Sequence, residues 1–159
     1  MNEAIVLEKS PEVMESRPGQ YLTFNLDSQV YGIPINVVRE INRVGQITRV
    51  PKASGFVAGV IDLRGRVIPV VSLRARLGMP PTEQTHHTCI VVIDTDAGQI
   101  GMVVDSVNSV VEIKEGQIEP KPTVGSEADT DFITGMANVD GKIMVLLAVV
   151  RCFSRDCFV

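Results

Sequence analysis

The decamer GVIDLRGRVI, at Gly59–Ile68, predicts a β-hairpin. Two mostly apolar runs flank Arg64-Gly65, and their branched Val and Ile side chains favour strands. When it is moved along the chain by 76 residues, the decamer aligns without a gap with GMANVDGKIM at Gly135–Met144, where the turn pair is Asp140-Gly141. We therefore expect two copies of one hairpin-containing unit.

A second repeat precedes each of these hairpins. Leu22–Gly32 aligns with Val91–Gly101 after a shift of 69 residues, and each segment has the pattern of a strand, a polar turn and a returning strand that ends in glycine. The chain also contains 25 Val and 14 Ile but only 8 Leu. These patterns predict an all-β fold of two tandem small β-barrels with short connecting helices, because closing a sheet removes the edges that aggregate.

The expected domain boundaries follow from the repeats. A flexible N-terminal tail takes residues 1–18, one folded domain takes 19–154, and a C-terminal tail takes 155–159. Within the domain we expect the first barrel at about 20–85 and the second at about 86–154, with a first or last strand free to cross to the other barrel.

One of the connecting helices is predicted after the first returning strand. It begins at Pro34 and carries Val37, Val38, Ile41 and Val44 at three- and four-residue spacing. One stripe of this helix must face its own barrel. Val38 therefore faces either the core or a binding partner.

The two repeated hairpin turns differ at one informative residue. Asp140 before Gly141 is the pair that a tight hairpin prefers, because Asp tolerates a positive φ. Arg64 before Gly65 tolerates that conformation less well. Where one copy departs from the favoured residue, the departure marks a functional candidate.

The charged residues are distributed unevenly, although the net charge is only −4. Residues 39–76 hold eight of the 15 basic residues and two acidic ones, whereas residues 77–159 have an excess of acidic residues. This polarity suits oriented docking to proteins. A single-stranded nucleic-acid binder is the alternative, but such proteins stack bases on aromatic side chains, and the chain has no Trp, 2 Tyr and 5 Phe.

Motifs for catalysis or metal binding are weak. The chain has no Walker loop, no Gly-x-Ser-x-Gly elbow and no dinucleotide-binding glycine pattern. Neighbouring side chains of an extended segment point to opposite faces, so His86 and His87 are not expected to bind the same metal. His86 and Cys89 would then supply only two of the usual four ligands. Glu127, Asp129 and Asp131 are expected to form a solvated acidic loop, with a site for a divalent cation as the alternative. We expect no enzyme, no cofactor and no metal, with a divalent-metal enzyme as a further alternative.

The cysteines and the N-terminal residues indicate the compartment. Cys89, Cys152 and Cys157 are unevenly spread, which fits reduced thiols better than a disulfide framework. The N-terminus has no basic region followed by an apolar block, and no apolar run approaches the roughly 20 residues of a membrane span. We expect a cytoplasmic protein.

The segment Val60–Arg74 resembles the signature hairpin of CheW, the coupling protein family of bacterial chemotaxis. Other segments fall in the family's order, namely Tyr21–Phe24, Tyr31–Ile33, Val38–Ile41, Gly101–Asp105, Gln117–Pro122 and Asp131–Gly135. The similarity covers about residues 20–148 and implies two five-stranded barrels without catalysis.

The resemblance also implies partners. It makes the chain an adaptor between the cytoplasmic tips of chemoreceptors and the regulatory domain of a chemotaxis histidine kinase. The protein is then recruited to membrane-associated receptor arrays, without inserting in the membrane, and associates weakly with itself there. The alternative within the family is a coupling protein of a non-flagellar array that controls pilus motility or development.

Carried over by position, the resemblance implies a receptor-facing groove between the barrels. Its residues are Val38, Glu40, Ile41, Arg64, Gly65, Val104 and Asp105. Glu40 and Arg64 carry opposite charges, so they are expected to pair and hold the arginine in place. A kinase contact is implied around Val124.

Three positions depart from the family's pattern. Asp62 stands where the family usually has Asn, and Val124 stands where many members have an aromatic residue. Ala148 replaces the acidic residue that usually starts the terminal helix. We therefore expect that helix to be uncapped and short.

Overall fold

The computed structural model describes residues 17–51, 55–120 and 132–153, which consist mostly of β-strands. In chain order the strands are β1 (Gly19–Leu26), β2 (Gln29–Pro34), β3 (Val38–Arg43), β4 (Val57–Leu63), β5 (Arg66–Ser72), β6 (Cys89–Thr95), β7 (Gly98–Val104), β8 (Ser106–Ile113), β9 (Ile118–Glu119), β10 (Ile133–Val139) and β11 (Lys142–Leu147). The described helices are short: α1 (Leu73–Arg76), α2 (Val149–Cys152) and two 3-10 turns at Ile35–Val37 and Glu115–Gln117.

The strands form two sheets, which confirms the predicted all-β class with two β-units. One sheet has six strands in the order β8-β1-β2-β11-β10-β9, and the other has five in the order β3-β6-β7-β5-β4. Neighbouring strands are antiparallel except at two places. β2 runs parallel to β11, and β5 runs parallel to β7.

Each sheet curls so that the chain beyond one edge strand returns to the opposite edge. In the five-stranded sheet, Thr48 lies beyond β3 and pairs with Val60 of β4 through backbone hydrogen bonds of 2.8 and 2.9 Å. In the six-stranded sheet, β9 lies beyond β8 and pairs with β10. Each of these two pairings brings the opposite edges of its sheet together, so that each sheet curls around side chains of its own strands.

The boundary expected near residue 85 does not divide the two sheets. β1 and β2 come from the first half of the chain but belong to the sheet of β8–β11, whereas β6 and β7 come from the second half but belong with β3–β5. Whole hairpins, rather than one terminal strand, are therefore exchanged between the halves. The cause is the parallel pairing of β2 with β11 and of β5 with β7, which a local hairpin pattern does not encode.

Three hydrophobic clusters follow from the alternation of side chains along the strands. The largest, which we call the shared cluster, lies between the two sheets and includes Leu22 and Phe24 of β1 together with Val91 and Ile93 of β6. Their neighbours point the other way: Tyr21 lies in a cluster of the six-stranded sheet, and Ile90 and Val92 lie in a cluster of the five-stranded sheet. The strands are thus covered on both faces, which explains the near-continuous runs of apolar residues.

The helix predicted from Pro34 to Val44 is wrong, because the structure has a 3-10 turn followed by strand β3. The pairing of β3 with β6 shifts register between Val38 and Glu40, so a β-bulge inserts one extra residue. Val38 is then opposite Ile93 and Ile41 is opposite Val91, which places residues three apart on one side of the sheet. The bulge therefore imitates the three-residue spacing of a helix.

The C-terminal helix confirms the prediction of a short, uncapped element. The hydroxyl of Ser72 caps α1 by accepting a hydrogen bond from the Ala75 backbone N–H at 3.1 Å, whereas Ala148, at the equivalent position of the repeat, makes no side-chain cap for α2. A mainly apolar cavity of about 450 Å³ lies beside the start of α2. Phe153, just after α2, is fully buried in the shared cluster and anchors this end of the chain.

Gly59 is a backbone position that only glycine can occupy in this fold. Its φ is +149°, and a Cβ there would lie 2.1 Å from the carbonyl oxygen of Thr48, at the bridge that closes the five-stranded sheet. We predict that Gly59→Ala lowers the free energy of unfolding by about 3 kcal/mol, measured by urea denaturation.

Gly116→Ala is the matched control for this prediction. Nothing lies within 4 Å of a Cβ at Gly116, so the unfolding free energy should change by less than about 0.5 kcal/mol. Equal stability of the two variants would contradict the closing role of the Thr48–Val60 bridge.

Candidate functional site

The turn between β4 and β5 presents Arg64 in a conformation that is unusual for arginine. Its φ is +54° and that of Gly65 is +87°, which is the geometry of a tight two-residue hairpin turn. Asp140 and Gly141 in the repeat have nearly the same angles, +54° and +83°. A left-handed conformation costs a residue other than Gly, Asn or Asp about 1–2 kcal/mol, so Arg64 is held there by its surroundings.

The side chain of Arg64 reaches across the end of the five-stranded sheet to Glu40 on β3. An Nη2–Oε2 distance of 2.5 Å joins the two groups in an ion pair. The arginine side chain is 72% exposed and the glutamate side chain 27% exposed. Asn42 donates a second hydrogen bond to Glu40, at 3.3 Å. We call Glu40, Arg64 and Gly65 together the hairpin surface.

The ion pair changes the acid–base properties of both partners. The hydrogen bond from Arg64 is the main reason why the pKa of the Glu40 carboxyl lies below its ordinary value, and the same contact raises the pKa of the Arg64 guanidinium. Both groups therefore stay charged across the physiological range, and the hairpin surface keeps a fixed pattern of one positive and one negative group.

The bulge in β3 decides which way the neighbouring residues point. Val38 and Ile41 share the side of the shared cluster, whereas Glu40 is opposite Val92 and points to the other side. Val38 is partly buried and packs on the shared cluster. Ile41 is still 42% exposed, so it is the apolar member of this strand that a partner can reach.

Val104 and Asp105 do not lie on the hairpin surface. Val104 is fully buried in the shared cluster, so its side chain is not available to a partner, which corrects its assignment to the groove. Asp105 accepts a hydrogen bond from Arg74 Nη1 at 2.9 Å and another from the Asp27 backbone N–H at 2.7 Å. It is therefore engaged in a structural contact at the point where the chain passes from β7 to β8.

Some predicted positions lie outside the described residues. These are the proposed kinase contact Val124, the acidic residues Glu127, Asp129 and Asp131, and Cys157. Within the described part of the chain, no three His, Cys, Asp or Glu side chains are gathered as a metal site would require. The segment of His86 and His87 is a turn rather than extended, so the two rings lie 3.9 Å apart instead of on opposite faces.

Sequence reasoning missed an exposed apolar residue beside the turn and a buried arginine. Val67 is 71% exposed and lies opposite Asp62 in the hairpin. The sequence did offer one signal, because neighbouring residues of a strand point to opposite faces and Val67 precedes the buried Ile68. Arg74 is only 7% exposed and pairs with Asp27 as well as Asp105. No local pattern distinguishes it from the exposed Arg64 and Arg66.

Comparison with known proteins identifies the family. A family model described as a CheW-like domain matches residues 20–157. The chain belongs to the CheW-like family. It is 28% identical over 137 residues to the chemotaxis protein CheW of Klebsiella aerogenes, covering 86% of this chain and 82% of the relative. It is 37% identical over 110 residues to CheW of Bacillus subtilis, covering 69% and 70%.

A solved structure and a further relative agree with this membership. The scaffolding protein TtCheW of Thermoanaerobacter tengcongensis matches with a TM-score of 0.79 and 31% identity, over 89% of this chain and 96% of that one. Protein FrzA of Myxococcus xanthus is 29% identical over 129 residues, which cover 80% of each chain. The CheW-like assignment and the chemotaxis adaptor class are therefore shown, as the sequence resemblance implied. None of the helices in the described ranges has the length and apolar character of a membrane span.

The pKa of Glu40 tests the ion pair directly. Because Arg64 lowers it, the pair stabilises the fold above the unfolded pKa of the glutamate, and this contribution is lost as the pH falls through the folded pKa. We predict that Arg64→Ala raises the Glu40 pKa toward its ordinary value, measured by a carboxyl-carbon NMR titration. Arg39→Ala should leave it unchanged, because Arg39 pairs with Asp94.

The buried Arg74 should contribute more to stability than an exposed arginine. Arg74→Met removes two ion pairs and a hydrogen bond to the Pro80 carbonyl, so we predict a loss of about 1–3 kcal/mol of unfolding free energy. Arg39→Met removes an exposed pair and should cost less than about 0.5 kcal/mol. Equal losses in thermal or urea unfolding would contradict the structural role of Arg74.

Proposed function

We propose that this CheW-like protein is a non-enzymatic adaptor that couples the cytoplasmic tips of chemoreceptors to the regulatory domain of a chemotaxis histidine kinase. Receptors would thereby control kinase autophosphorylation. The observation that carries the proposal is the arginine at the tip of the β4–β5 turn, which is left-handed, exposed and paired with Glu40 from another strand. Such backbone strain is concentrated at residues that bind or react.

The hairpin surface has the chemistry to receive a helical receptor tip. Arg64 and Glu40 offer charges of both signs within one ion pair, and Ile41 offers exposed apolar area on the other side of β3. In helix-in-groove recognition, apolar contacts supply affinity and charged contacts set the register. Gly65 contributes no side chain, and nothing lies within 4 Å of the position of its absent Cβ, so a partner can approach the backbone there.

The other predicted residues take different parts in this proposal. Val38 supports β3 from the shared cluster and leaves Ile41 to make the contact. Asp105 acts indirectly, by holding the β1–β2 turn through Arg74 and the Asp27 backbone. Val104 is left out because it is buried.

We retain the segment around Val124 as the proposed kinase contact. The adaptor would work in the cytoplasm, recruited to receptor arrays at the membrane.

The nucleic-acid alternative receives little support from the basic block. Arg39, Arg64 and Arg74 are paired with Asp94, Glu40 and the carboxylates of Asp27 and Asp105, respectively. Arg66 donates a hydrogen bond to the Gln99 side chain. A phosphate backbone would have to compete with these carboxylates for the guanidinium groups.

The alternative of a non-flagellar array has weaker support than chemotaxis. It depends on the similarity to FrzA, whose name states no motility system. Two relatives named as chemotaxis proteins are more similar, at 31% identity over 137 residues and 37% identity over 110 residues.

Arg64 is the residue that most sharply tests receptor coupling. Charge-assisted hydrogen bonds are worth about 1.5–3 kcal/mol, so Arg64→Ala should weaken binding to a receptor-tip fragment about ten- to a hundredfold. Arg64→Asp copies the turn of the repeat, so it should fold at least as well as the parent and lose binding. Titration calorimetry, with kinase autophosphorylation in a reconstituted mixture as a second readout, measures both effects.

Arg39→Ala is the matched control, since Arg39 lies on β3 but pairs with Asp94 instead of Glu40. It should bind the fragment with parental affinity. Kinase binding should persist in all three variants. Parental receptor affinity of Arg64→Asp would show that the receptor does not use this turn.

A further inference from the structure

We propose that Asp62 is a positioning residue, whose carboxylate holds the Arg64-Gly65 turn in the conformation that places the Arg64 guanidinium on Glu40. The proposal deepens the proposed function, since it explains how the receptor-facing arginine is oriented. Asp62 itself does not need to touch the receptor.

The contact that carries the inference is a hydrogen bond across the turn. The Gly65 backbone N–H donates to Asp62 Oδ1 at 2.8 Å. The bond spans the residue that needs stabilising, because Arg64 sits between donor and acceptor with a φ of +54°. A carboxylate that accepts from a backbone N–H makes a charge-assisted bond, which is stronger than one between neutral groups. Fixing Gly65 in this way restricts the backbone of Arg64 as well.

The equivalent hairpin of the repeat, β10–β11, has the same arrangement with a neutral side chain. Asn138 is the equivalent of Asp62, and its Oδ1 accepts a hydrogen bond from the Gly141 backbone N–H at 3.1 Å. The turn angles are nearly identical in the two copies. The side-chain oxygen, rather than the negative charge, is therefore the shared requirement.

The two turns should nevertheless differ in how much they depend on this oxygen. Asp140 tolerates a left-handed backbone by itself, because its short polar side chain bonds locally. Arg64 has no such local partner and instead extends to Glu40, which lies 24 residues away in sequence. Loss of the acceptor should therefore release the turn at Arg64 more readily than the turn at Asp140, and the guanidinium should leave Glu40.

The experiment compares Asp62→Ala, Asp62→Asn and Asn138→Ala in the full chain. We expect Asp62→Ala to weaken binding to a receptor-tip fragment about three- to tenfold, which is the range of one net hydrogen bond. The same variant should raise the Glu40 pKa in a carboxyl-carbon NMR titration. Asp62→Asn should restore both values, and Asn138→Ala should leave both at the parental values. Asp62 is exposed, so all variants are expected to fold.

The outcomes separate this proposal from the proposed function. Parental binding and a parental Glu40 pKa in Asp62→Ala would overturn the positioning role, and so would an Asp62→Asn variant as impaired as Asp62→Ala. If the parent protein does not bind the fragment but Asp62→Ala raises the Glu40 pKa and Asp62→Asn restores it, receptor coupling is wrong and the positioning of Arg64 stands. A melting temperature unchanged in Asp62→Ala supports positioning over a general loss of stability.

Discussion

The parallel pairing of β2 with β11 joins the first hairpin of the described chain to the last one, and most of the architecture depends on it. Val30, Tyr31 and Gly32 pair with Met144, Val145 and Leu146. The repeat has the equivalent parallel pair between β5 and β7, in which Val70 is opposite Gly101. Both parallel pairs have a glycine at the equivalent position, Gly32 or Gly101. A Cβ would lie 3.0 Å from the Leu146 side chain at Gly32 and 2.7 Å from the Ile90 side chain at Gly101. A larger residue would therefore have to displace the Leu146 side chain at Gly32 or the Ile90 side chain at Gly101.

This pairing interlocks the two halves of the sequence. Each half gives one hairpin to the other half's sheet, so neither half contains a complete sheet, and the largest hydrophobic cluster is built by both. Arg74, Asp27 and Asp105 form an ionic contact at one of the crossings, between α1, the β1–β2 turn and the β7–β8 junction. The exchange also leaves β3 and the β4–β5 hairpin in one sheet. That is why Glu40 and Arg64 can meet at its end.

The two repeats keep the same backbone but have diverged at the positions where chemistry matters. The bulge of β3 recurs in β8, and the turn angles of Arg64-Gly65 recur in Asp140-Gly141. Arg64 stands where the repeat has the favoured Asp140, whereas Ala148 stands where the repeat has the capping Ser72. The first change creates an exposed cation held by Glu40. The second leaves α2 dependent on the burial of Phe153.

The sequence by itself determined the hairpins, the two-residue turns, the exceptional position of Arg64 and the family. These features were predictable because hairpin register depends on turn residues and on alternation over a few neighbouring positions. Only the tertiary structure decided which hairpin joins which sheet, because both copies offer similar strand edges and their pairing is long-range. It also decided that Val38 and Ile41 lie on a bulged strand, since a bulge and a helix give the same three-residue spacing. The burial of Val104 and Arg74 was likewise unreadable from local pattern, since the shared cluster and the ionic contact exist only after the halves have exchanged hairpins.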